Sequence, residues 1–135
     1  MFKFVALIAL ALHSPRTDLK QTLRVWQSKL LLTDWRIGVE TADDRALGGD
    51  AMGDIEWDVA AKRASIRVLR EQDYDLPVRM ARLDQQATII HELVHLSHVT
   101  SGRKEVPEEE QSVVLETNAL LEANHQWRIL AVQER

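Results

Sequence analysis

Apolar and polar positions along the chain fall into a short series of patterns. From Thr17 or Asp18, which can cap a helix, Leu19, Leu23, Trp26, Leu30 and Leu31 recur at helical spacing, and Lys20, Arg24 and Gln27 fall on the opposite face. The pattern predicts an amphipathic helix running to about Leu32. Thr33-Asp34 breaks it. Trp35, Ile37 and Val39 then alternate with Arg36, Gly38 and Glu40, the period of a half-buried strand. Residues 43–53 are polar and carry Gly48, Gly49 and Gly53, so they read as an irregular connection. Ile55, Trp57 and Val59 mark a second strand, Ala61 to Arg63 a turn, and Ala64, Ile66 and Val68 a third strand. Short connections favour an antiparallel meander.

Helices follow the strands. Pro77 is well placed to open one, because its missing N–H costs nothing in a first turn. A long helix is expected from Val78 to about Thr100, stopped by Ser101-Gly102. After a short connection, Glu108 to Glu110 put negative charge where the next helix dipole favours it. That last helix is expected to reach about Ala131. The order is helix, three strands, helix, helix: an α+β chain with its helices on one face of a small antiparallel sheet.

Composition narrows the function classes. The chain has 135 residues, enough for one domain and one core, expected over 15–135. It has no cysteine, which removes disulfides, thiolate metal sites and a cysteine nucleophile. Net charge is −4 with no block of Lys and Arg, so no nucleic-acid partner is expected. Residues 1–14 form an apolar N-terminal segment. Lys3, the run Phe4 to Leu12, and then His13-Ser14-Pro15 resemble a secretory signal. No Ala-x-Ala site follows, so a buried N-terminal segment is the competing reading, and a cytoplasmic location is slightly favoured over a secreted one. The run is too short to span a bilayer as a helix.

The chemistry lies in Ala87-Thr-Ile-Ile-His91-Glu92-Leu-Val-His95-Leu-Ser-His98. His91 and His95 are one helical turn apart, so their rings share a face and can grip one zinc ion. Glu92 flanks that face and can reach a water at the metal without being a ligand. Ile89, Ile90, Leu93, Val94 and Leu96 fill the other arc, which gives the helix a side to bury. A catalytic zinc needs a third protein ligand. If the helix pair turns near residues 104–105, an antiparallel partner of residue 93 lies close to Glu116; Glu110 is the second candidate. His98 is about 10 Å along the helix from His91, too far to share one ion, and is expected to line the cleft or meet solvent. His125 reads as a surface histidine.

His91-Glu92-Leu-Val-His95 on an apolar helix, followed by a helical glutamate, resembles the zincin metallopeptidases of the gluzincin type. Glu116-Thr-Asn118-Ala-Leu-Leu121 resembles the stretch that follows this motif in the ImmA/IrrE-like peptidases. The metzincin third histidine and the later His-Gly pair of SprT-like proteins are absent. The resemblance implies one zinc ion per chain held by His91, His95 and Glu116. It implies Glu92 as general base and a peptide or protein as substrate. Two other classes stay open: a zinc-binding regulatory or inactive domain without turnover, and a metal-dependent endoribonuclease, whose third histidine is missing here.

Overall fold

The computed structural model describes residues 19–102 and 109–123. The apolar segment 1–14, His125 and the expected extension of the last helix to residue 131 lie outside the described residues. Helix α1 spans Leu19–Lys29 and buries Leu23 and Trp26. It ends where Leu31 takes a positive φ of 59° and the chain turns back. Gln27 closes this corner: its Nε2 donates to Leu32 O at 2.8 Å and to Trp35 O at 2.7 Å. Two carbonyls of the turn that follows the helix are thereby bonded before the chain enters the sheet.

Strands β1 (Arg36–Ala42), β2 (Gly53–Asp58) and β3 (Arg63–Leu69) form one sheet in the order β1-β3-β2. The expected antiparallel meander is corrected here. β2 and β3 do form an antiparallel hairpin, turned at Lys62 with φ 51°, but β1 pairs with β3 in parallel. The physical reason lies in residues 43–52. Only a tight turn forces consecutive strands to be antiparallel neighbours. This connection is longer and winds through its own turns, with Gly48 and Gly49 at φ 88° and 94°. It carries the chain past one strand position, and β3 fills the gap. β2 therefore becomes an edge strand.

Ile66 and Val68 of β3 are fully buried against the helices, and Ile37, Val39, Ile55 and Trp57 pack around the same cluster. The opposite face is polar, where Arg67 pairs with Asp54 across the β2–β3 register. Helix α2 (Val78–Thr100) crosses the apolar face. It buries Ile89, Ile90, Leu93, Val94 and Leu96, as its apolar arc predicts. Gln85 Nε2 donates to Leu69 O at 2.8 Å and fixes α2 to the end of β3. Helix α3 (Glu109–Ala123) adds Val113 and Leu121 to the interior. The described residues are thus α+β, with three α-helices and a small mixed sheet. Among the described residues, no helix is long and apolar enough to cross a membrane.

Gly53 sets the distance between β2 and α2. A Cβ there would stand 2.5 Å from Thr88 Cγ2 and 2.6 Å from Arg67 O. The second contact is backbone and cannot rotate away. Gly53→Ala is therefore expected to destabilise the fold by about 1–3 kcal/mol, the usual range for forced overpacking. Gly38→Ala, with no atom within 4 Å of the new methyl, serves as the control and should lose much less. Urea denaturation of the two variants checks the difference.

Candidate metal centre

One stripe of α2 carries polar groups through an apolar helix. Asp84, Thr88, His91, His95 and His98 follow steps of four and three residues, so they share a face. Tyr74 OH donates to Asp84 Oδ2 at 2.9 Å at one end of the stripe, and burial beside that carboxylate pushes the phenol well above its ordinary pKa. At the centre, the His91 and His95 rings lie 5.0 Å apart and nearly perpendicular. The ligand atoms of His91, Glu92 and His95 fall within 4.8 Å of one another.

The carboxylate that meets both imidazoles is Glu110. His91 Nε2–H donates to Oε1 at 2.6 Å and His95 Nε2–H to Oε2 at 2.9 Å. Hydrogen bonds from His91 and then His95 hold this carboxyl well below the usual carboxylate range, despite its partial burial. Glu116, the expected third ligand, is not in this group. It accepts a hydrogen bond from His98 Nε2 instead. His98 is correspondingly buried, neither lining the cleft nor meeting solvent as expected.

The register argument failed for a definite reason. In an antiparallel helix pair, contacts that advance along one helix retreat along the other. Here the contacts His91–Glu110, His95–Glu110 and His98–Glu116 span 19, 15 and 18 residues, so they advance together. α3 crosses α2 rather than returning along it. The acidic first turn at Glu108 to Glu110 was visible in the sequence, but its distance from the histidines depends on that crossing.

Glu92 is 6% exposed, beside the two histidines and at the wall of an open cleft of about 960 Å³. Burial raises its carboxyl to about 7, against the pull of His91 and His95 and with a further push from Glu110 and Asp54. The cleft is bounded by β2 residues Gly53 to Ile55 and Trp57, by the α2 stripe, and by Val114, Leu115 and Asn118 of α3. Among the described residues, no Lys or Arg lines it. Which strand borders the cleft is set by the sheet order, which leaves β2 at an edge.

The donor chemistry suits a zinc ion: two imidazole nitrogens and one carboxylate, with an open side. Donor atoms around a tetrahedral zinc stand about 3.3 Å apart for bonds of about 2.0–2.1 Å. The contacts at Glu110 are 2.6 and 2.9 Å. Its side chain is 66% exposed and can withdraw by the required ~0.5 Å without disturbing the core. His91 Nδ1 is buried without a hydrogen-bond partner, so no acceptor fixes that ring from behind.

Glu92 gives a test that needs no metal. Its raised pKa means that the folded chain favours the protonated acid, a preference present below the unfolded value of 4.5 and lost as pH rises through about 7. In metal-free protein, Glu92→Gln is expected to be more stable than the parent above pH 7, by about 2–3 kcal/mol. The advantage should shrink on acidification and vanish below pH 4.5. Denaturant titrations across that interval check it. Compared with family models, curated proteins and solved structures, the chain matches none.

Proposed function

We propose that the chain is a zinc-dependent metallopeptidase, with His91, His95 and Glu110 as metal ligands and Glu92 as general base. The observation that carries this reading is the meeting of both imidazoles on one carboxylate, inside a cleft that Glu92 also lines. When bound, zinc supplies Lewis acidity towards a carbonyl oxygen and makes water a stronger acid.

The chain's own residues do the rest. Glu92, ionised, takes a proton from the attacking water as its oxygen bonds to the carbonyl carbon. It then delivers that proton to the amine nitrogen as the C–N bond breaks. Edge strand β2 offers unpaired backbone groups along the cleft, where an extended peptide can add as a further strand. Asp54, Asp84, Glu92 and Glu110 give the lining an acidic balance, which favours a peptide over a polyanion such as RNA.

Metal analysis of purified protein is expected to give about one zinc per chain. His91→Ala and His95→Ala should lose it. Glu110→Ala should weaken zinc by more than the ~10–100-fold that loss of a supporting residue costs. Glu92→Gln should keep the metal and lower kcat on a peptide library by about 10²–10⁴-fold. Full turnover in that variant would remove Glu92 from the mechanism, and absence of zinc from the parent protein would overturn the proposal. Zinc retained with no cleavage of any peptide would favour a regulatory domain instead.

A further inference from the structure

The stripe on α2 continues past the candidate ligands to His98. This histidine is 4% exposed, and its Nε2–H donates to Glu116 of α3. It lies three residues beyond His95, and Glu116 lies six beyond Glu110. Two polar contacts therefore join the same pair of helices, one at each end of a segment of α3 about 9 Å long. They differ in surroundings. Glu110 is 66% exposed, Glu116 41%, and His98 is enclosed.

That difference decides which contact can hold the helix. Exposed ion pairs contribute little, about 0–1 kcal/mol, because water competes for both partners. Hydrogen bonds to charged groups shielded from water are worth more. The buried stripe of α3, Val113, Thr117 and Leu121, sets which face of the helix turns inward. It does so through contacts without direction, and Thr117 Oγ1 itself makes no hydrogen bond. Apolar contact alone resists a small slide along the axis poorly. A slide of one residue's rise moves Glu110 by about 1.5 Å, enough to break contacts of 2.6 and 2.9 Å.

We propose that His98 and Glu116 are a positioning pair: their hydrogen bond, enclosed on the His98 side, fixes α3 along its axis and so places the Glu110 carboxylate across His91 and His95. The inference rests on the reading of that group as a metal centre. His98 does not touch the ion or the substrate; it acts through Glu116 and the helix that carries Glu110.

A double-mutant cycle on zinc affinity tests it, with Kd read by competition against a chromophoric chelator. Glu116→Ala and His98→Ala should each raise Kd by about 10–100-fold, the range for residues that orient a ligand. His98→Gln, whose amide can still donate, should recover most of the affinity. In a Glu110→Ala background the same substitutions should change Kd by less than about twofold, since coupling through one residue disappears with it. A general loss of structure would lower affinity equally in both backgrounds, and that result would overturn the pair's role. So would unchanged affinity in Glu116→Ala, which alters a half-exposed side chain and keeps the test open should His98→Ala fold poorly. If the parent protein binds no zinc, the metal reading and this inference fall together. If it binds zinc through Glu110 yet ignores His98 and Glu116, only this inference falls.

Discussion

One carboxylate shared by two imidazoles is the contact around which the cleft is arranged. Glu110, in the first turn of α3, stands over the middle of α2, and the cleft opens between the two helices and β2. Without it, His91 and His95 would be two rings on a helix wall. With it, three donors of the kind zinc prefers face one point, and a buried carboxyl stands next to them. Each arrangement costs the metal-free fold something. Two N–H groups are tied up by an exposed acid, and Glu92 sits in surroundings that oppose its charge.

α2 has to satisfy two demands at once. Its apolar arc covers the sheet and α1, and its polar stripe faces α3 and the cleft. Residues one turn apart meet both demands because the helical repeat keeps the two sets on separate sides. The apolar arc is buried against the sheet, so the His91 ring is held in place by the core rather than by a hydrogen bond behind it. The bare, enclosed Nδ1 of His91 is consistent with that division of labour.

Much of this was legible in the sequence, and the exceptions share one cause. The bounds of α2, the arc Ile89 to Leu96 and the grouping of His91, Glu92 and His95 depend on periodicity within one element, which local spacing reports directly. The order of the strands and the choice between Glu110 and Glu116 depend on how connections route the chain between elements. For the strands, that route is the path of residues 43–52. Hydrophobic pattern constrains such a path weakly. His98 was misplaced for the same reason, since its burial comes from α3 and not from its own helix.

The swap of strand positions has a consequence for how this scaffold can change. Residues 43–52 leave the sheet at one edge and return at the other, ending in Ala51 and Met52 at the rim of the cleft. Met52 O accepts from Leu69 N–H, Asp44 N–H donates to Asp73, and Leu47 is buried, so the segment is anchored near both ends. Its middle, residues 48–50, is exposed, and there length and side chains can be rewritten with little disturbance to β3 and α2. A lineage or an engineer could retune what enters the groove by editing this detour alone, leaving the machinery beneath it untouched.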